Sequence, residues 1–142
     1  MIVSELMNSN VVSITPDEPA ALAARLLQRH NVGSLPVCSL DGRIQGIVTD
    51  RDIVTRCVAA EVDPNQTKVR EIMTRGVISI SPKEDVREAT RLMAAEQVRR
   101  LPVCEGGRVV GMLSLGDMAQ AHQFDMEASK ALCEISQNVK KR

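Results

Sequence analysis

Thr49 and Asp52 stand three residues apart where the apolar run Gly46-Ile47-Val48 gives way to a helix-forming stretch, and Ser114 and Asp117 keep the same spacing after Gly111-Met112-Leu113. A hydroxyl followed at this distance by an acid forms a capping box, in which the two side chains satisfy free amides of the first helical turn and stabilise it by about 1 kcal/mol. The same spacing suits ligand binding. A helix start offers N–H donors to a phosphate, and a carboxylate one turn in can accept from both hydroxyls of a ribose. Spacing alone leaves both readings open. Arg51 lies inside the first motif, where the second has Gly116, and Arg99-Arg100 precede Leu101-Pro102-Val103, where the first copy has only Gly33-Ser34. A guanidinium gives phosphate bidentate, charge-assisted hydrogen bonds. The alternative for Arg99 and Arg100 is surface pairing with Glu96 or Glu105.

Other chemistry finds little support. An enzyme needs a nucleophile with its base, a metal cluster, or paired carboxylates of divergent pKa; His30 and His122 have no partners in sequence that suggest a triad, and no phosphate-loop glycine signature occurs. The reading is therefore non-catalytic, with no obligatory cofactor and no metal. Cys38, Cys57, Cys104 and Cys133 show no C-x-x-C spacing, and Cys38 and Cys104 end equivalent apolar runs, where a thiol is usually a small buried hydrophobe rather than a zinc ligand. Lys and Arg number 18, as do Asp and Glu, so the net charge is zero and no basic footprint for nucleic acid exists. Phe124 is the single aromatic residue, which removes base-stacking platforms. No apolar run approaches the roughly 20 residues that cross a bilayer, and no signal pattern opens the chain. A cytoplasmic protein without membrane or nucleic-acid partners is expected.

What must position these residues is written twice. Val11, Ser13, Ile14, Pro16, Glu18, Leu35, Pro36, Val37 and Cys38 recur at one constant offset as Val77, Ser79, Ile80, Pro82, Glu84, Leu101, Pro102, Val103 and Cys104. After a single deletion in the hairpin turn, Gly46, Thr49 and Asp52 match Gly111, Ser114 and Asp117. A duplicated unit too small to bury its own apolar faces must pack on its twin. In the first copy the patterns predict a strand from Val11 to Thr15, a helix from Glu18 to His30 with Leu22, Ala23, Leu26 and Leu27 at helical spacing, and a strand Leu35 to Cys38. The turn Asp41-Gly42, a strand Arg43 to Thr49 and a helix Asp50 to Ala60 follow. The second copy repeats the order, with strand Val77 to Ser81, helix Glu84 to Glu96, strand Leu101 to Cys104, strand Val109 to Ser114 and a helix from Asp117.

The Leu-Pro-Val strand, the Gly-x-x-Thr/Ser-x-x-Asp step and this element order, all present twice over roughly Val3 to Ala121, resemble a tandem pair of cystathionine-beta-synthase (CBS) domains, a Bateman module. The resemblance implies an α/β (α+β) fold of two β-α-β-β-α repeats related by a pseudo-twofold axis, with their sheets back to back and clefts that bind adenosine-containing ligands. It implies that Asp52 and Asp117 hold ribose, that Thr49 and Ser114 meet phosphate or ribose, and that Thr15 and Ser81 border the adenine. The ligands it suggests are AMP, ADP and ATP, with S-adenosylmethionine and NAD as further members of the class. Twofold packing would carry Arg99 and Arg100 to the cleft of Thr49, Arg51 and Asp52, leaving the Gly116 cleft poor in cations.

The expected organisation is a first repeat over 1–61, a connector over 62–69, a second repeat over 70–122 and an amphipathic tail over 123–142. Phe124, Met126, Leu132, Ile135 and Val139 mark the tail's apolar face, and Lys140-Lys141-Arg142 its charged end. Family resemblance adds a homodimer joined through Ile53, Val54, Met118 and Ala119, and, with no effector domain in the sequence, a regulatory signal passed to a separate protein. The competing reading is a dimerisation scaffold whose Thr/Asp and Ser/Asp pairs are only caps.

Overall fold

The computed structural model describes residues 1–120 and 130–136. After a 3-10 turn at Val3–Glu5, the chain forms α1 (Ala20–His30), β1 (Ser34–Cys38), β2 (Ile44–Thr49), α2 (Asp50–Ile53), α3 (Val69–Ile72), α4 (Val86–Glu96), β3 (Arg100–Glu105), β4 (Arg108–Ser114) and α5 (Leu115–Gln120). Residues 130–136 are helical. The fold is mixed α+β, with two two-stranded sheets, β1-β2 and β3-β4. Antiparallel β1 and β2 pair from Ser34↔Thr49 to Val37↔Gly46, with an irregularity before Cys38.

The predicted strands Val11–Thr15 and Val77–Ser81 shrink to single parallel bridges, Ile14↔Val37 and Ile80↔Val103. Proline is the cause. Ile14 N–H donates to the Pro36 carbonyl (3.1 Å) and Cys38 N–H to the Ile14 carbonyl (2.9 Å). The next ladder bonds on either side would need amide hydrogens from Pro16 and Pro36, which have none. Pro82 and Pro102 impose the same limit on Ile80. The predicted helix Asp50–Ala60 also changes character, widening into a π-helical turn over Val54–Val58. There the Thr55 hydroxyl donates back to the Arg51 carbonyl (2.8 Å), a bond that competes with and bends the helical ladder.

The chain packs as two compact units, one of Val12–Val77 with Gly107–Val109, the other of Met1–Val11, Ile78–Gly106 and the chain from Val110 onward. Each contains one repeat together with the segment that precedes the other repeat in sequence. In the first unit α3 is tied down by Val69 N–H to the Glu18 carbonyl (2.9 Å) and Arg70 N–H to the Pro16 carbonyl (3.0 Å). In the second the 3-10 turn is held the same way, by Val3 N–H to Glu84 (2.8 Å) and Ser4 N–H to Pro82 (3.0 Å). Val3 and Val69 are both fully buried, so these segments complete the cores rather than decorate them. The first core gathers Leu35, Val37, Val48 and Ile72; the second gathers Leu101, Val103, Leu113 and Met93. Amphipathic α1 and α4 supply the cover, and each ends on a left-handed residue, Asn31 and Gln97.

Met118 departs from expectation. It is fully buried in the second core, where it accepts a bond from the Thr90 hydroxyl (3.4 Å to Sδ), and so offers no surface to a partner. Ile53 is half-buried against the first core, whereas Val54 and Val58 are 58% and 66% exposed. Of the expected tail, Ala131 and Ile135 are buried and Leu132 is 41% exposed. His122, Phe124, Met126, Val139 and Lys140-Lys141-Arg142 lie outside the described residues.

Candidate functional site

Both Thr/Ser-x-x-Asp motifs sit where a strand hands over to a helix, and both are closed capping boxes. Asp52 N–H donates to Thr49 Oγ1 and Thr49 N–H to Asp52 Oδ2, each at 3.0 Å. Asp117 N–H and Ser114 Oγ, with Ser114 N–H and Asp117 Oδ2, repeat the pattern at 3.0 Å. The junction is also fastened to the start of the preceding strand. Asp50 N–H donates to the Gly33 carbonyl (3.1 Å) and Leu115 N–H to the Arg99 carbonyl (2.8 Å). Whatever side chains begin β1 and β3 are thereby set beside the helix start in the same unit.

This fastening gives the two corners different chemistry. In the first, Gly33 and Ser34 stand beside Thr49, and Arg51 is exposed on α2. The Ser34 hydroxyl is buried without a hydrogen-bond partner among the described residues. Asp52 is only 7% exposed, and its Oδ1 is already engaged by the Thr74 hydroxyl (3.3 Å) and lies 3.8 Å from Arg56 Nη1. Arg56 in turn donates to the carbonyls of Ile72 (3.0 Å) and Met73 (3.1 Å). The Asp52 carboxylate thus ties α2 to the segment after α3.

In the second corner, Arg99 and Arg100 line a concavity of about 320 Å³ with Ser114, Leu115, Gly116, Ala119 and Leu132. The arginines stand at the Gly116 corner of their own repeat, so the expectation of a cation-poor site there does not hold; the Leu115–Arg99 backbone bond places them. Gly116 contributes open space, since a side chain on it would meet nothing nearer than Ser114 Oγ at 3.7 Å. Asp117 is half-buried. Its Oδ2 carries the capping bond, and Oδ1 accepts no hydrogen bond among the described residues. The two corners trade places in sequence: arginine on the helix with glycine and serine at the strand start, then glycine on the helix with two arginines at the strand start. Thr15 is half-buried just past the Ile14 bridge, and Ser81 is exposed with its Oγ accepting from Lys83 N–H (3.2 Å).

Because Asp52 has partners beyond its cap, Asp52→Ala is expected to cost about 2 kcal/mol and Asp117→Ala about 1 kcal/mol, the difference being the cross-segment bonds. Urea unfolding of the two variants checks the order.

The four cysteines are free, and Cys133 is exposed. Cys38 and Cys57 are buried, and burial pushes the Cys104 thiol above its usual range, partly offset by a hydrogen bond with Ser79. Among the described residues no group of three or more His, Cys, Asp or Glu side chains gathers, and no helix is long and apolar enough to cross a membrane.

Two repeats, each completed by the other's leading segment and each ending in a capped strand-to-helix step, define a paired domain, and the CBS domain family matches residues 3–59 and 69–123; the chain belongs to that family. It is 38% identical over 138 residues to the CBS domain-containing protein YhcV of Bacillus subtilis, covering 96% of this chain and 97% of that one. Hypoxic response protein 1 of Mycobacterium tuberculosis is 34% identical over 131 residues, 91% of this chain and 92% of that one. The crystal structure of Hypoxic Response Protein I, which holds two coordinated zinc ions, has a TM-score of 0.79 at 32% identity, covering 84% of this chain and 98% of that one. The CBS domain pair of protein MJ0100, in complex with 5'-methylthioadenosine and S-adenosyl-L-methionine, has a TM-score of 0.77 at 26% identity, covering 88% and 98%.

Proposed function

We propose that the chain is a regulatory module, not an enzyme, that takes an adenosine nucleotide of the AMP, ADP or ATP kind in the concavity of Arg99 and Arg100. The observation that carries this reading is the lining of that concavity, which brings two arginines, the Ser114 hydroxyl and the apolar residues Leu115, Ala119 and Leu132 together around one space. Its volume of about 320 Å³ falls at the small end of ligand pockets, the scale of a single mononucleotide. Arg99 and Arg100 would neutralise phosphate, while Ser114 and Oδ1 of Asp117 would take ribose hydroxyls. The adenosine compounds in the MJ0100 pair support the ligand class. Thr15, Ser34, Thr49, Arg51 and Asp52 would form a second, weaker subsite, because Asp52 must give up Thr74 to receive a sugar. Ser81 would border the adenine.

Regulation requires that the ligand favour one of two arrangements of the protein; the output would pass to a separate effector protein. Val54 and Val58, apolar and exposed, are the surface through which a homodimer would form.

A scaffold reading has one observation in its favour, namely that both acids already serve as caps. Thermal unfolding with adenosine, AMP, ATP and S-adenosylmethionine separates the two. A ligand at 100 times its Kd adds about 2.7 kcal/mol of stability, and AMP and ATP are expected to raise the Tm more than adenosine does. No rise with any of the four leaves the scaffold.

A further inference from the structure

The tail reaches the site. Leu132 lines the same concavity as Arg99, Arg100 and Ser114, although it lies twelve residues beyond the end of α5 at Gln120. Its neighbours explain how it is held there. Ala131, 1% exposed, belongs to the second core, and Ile135, 4% exposed, is buried one turn on, so the helical segment 130–136 is anchored by two apolar side chains that flank Leu132. Leu132 itself remains 41% exposed. An anchored helix that leaves one large apolar residue half-uncovered beside two exposed arginines has the makings of a site wall rather than of core.

We infer that Leu132 packs against the base of the bound nucleotide, making segment 130–136 both a contact and a ligand-responsive element. The inference rests on the adenosine-ligand reading. A purine is flat and apolar on its faces, the chain's single aromatic residue is Phe124, and Leu115, Ala119 and Leu132 are the apolar side chains of the concavity. With the phosphate on Arg99 and Arg100, the apolar side chains of the same concavity are left for the base. Ligand that covers Leu132 also holds the helix carrying it, so occupancy would be read as tighter docking of 130–136.

The test uses the full chain and calorimetric titration with adenosine and AMP. Leu132→Ser is expected to lower the affinity for both about tenfold, because the contact it removes is with the base they share. Leu132→Met, which keeps the apolar surface, is expected to stay within about threefold of wild type. Amide exchange at 133–136 is expected to slow at least fivefold when AMP saturates the wild-type protein. The unliganded melt of Leu132→Ser is expected to fall by no more than a few degrees, since Leu132 belongs to neither core cluster. Wild-type binding of AMP with Leu132→Ser unchanged, or with exchange at 133–136 unaffected, overturns the role of the tail while leaving the ligand class standing. Failure of the wild-type chain to bind either compound overturns the ligand class and this inference together.

Discussion

Replacing Arg99 and Arg100 together by alanine is expected to weaken ATP binding about 100-fold while changing adenosine binding less than about threefold. Each charge-assisted bond to phosphate contributes roughly 1.5–3 kcal/mol, and the loss of about 2.7 kcal/mol is a factor of 100 in Kd. The two arginines are exposed at the start of β3 and lie outside both cores, so the double variant should unfold at the wild-type temperature. Binding by titration calorimetry, repeated at rising salt, reads the effect twice: wild-type affinity for ATP should fall with salt and that of the variant much less, because the screened charges are gone. Equal losses for ATP and adenosine would mean that the arginines face something other than phosphate.

Gly46→Ala is expected to destabilise the protein by about 2–3 kcal/mol, at the upper end of overpacking costs. A methyl group on Gly46 would stand 2.8 Å from Met73 Sδ and 2.8 Å from the Thr74 carbonyl oxygen. The thioether can turn aside. The carbonyl cannot, because Ile47 N–H donates to it (3.0 Å) and Thr74 N–H donates back to Ile47 (2.8 Å), so the methyl group must prise the segment from β2. The same displacement pulls Thr74 from Asp52. Gly111→Ala is the internal control. Its shortest contacts are with the side chain of Met7, at 2.5 Å to Sδ, while the nearest backbone atom, the Asn8 carbonyl oxygen, is 3.2 Å away. About 1 kcal/mol is expected there. Urea titration of both variants measures the difference, and equal costs would contradict the account of the close approach at Gly46.

The repeat made most of the fold legible. α1, α4 and all four paired strands fall within a residue or two of their sequence patterns, because helical spacing of Ala and Leu and short Val/Ile-rich runs bounded by Asp-Gly or Gly-Gly leave little choice. The first strand of each repeat is longer in the sequence pattern than in the fold, because Pro16, Pro36, Pro82 and Pro102 lack the amides that would extend pairing, and Ile14 and Ile80 keep one bridge each. That the leading segments belong to the repeat had a signal in the chain: Val3, Glu5 and Met7 recur as Val69, Glu71 and Met73 at the same constant offset as Val11 and Val77. Which unit each segment completes is a matter of packing that no local pattern carries.

The site was legible in its residue types and less so in its grouping. Thr49 with Asp52 and Ser114 with Asp117 form the reciprocal bonds their spacing requires. Whether they also bind a ligand is beyond spacing, since the cap uses one carboxylate oxygen and leaves the other. Thr74 and Arg56, which occupy that second oxygen at Asp52, gave no sequence signal, being an ordinary threonine and an ordinary surface cation. Leu132 was visible as an apolar tail position, but its place in the concavity of Arg99 and Arg100 depends on how Ala131 and Ile135 seat the helix.

The most direct measurement is a crystal structure of the full chain grown with AMP. The account predicts phosphate oxygens within about 3 Å of a guanidinium of Arg99 or Arg100, a ribose hydroxyl on Asp117 Oδ1 and the adenine against Leu132. AMP bound elsewhere with the concavity left to solvent, or no AMP at concentrations that saturate adenosine-binding relatives, would contradict it.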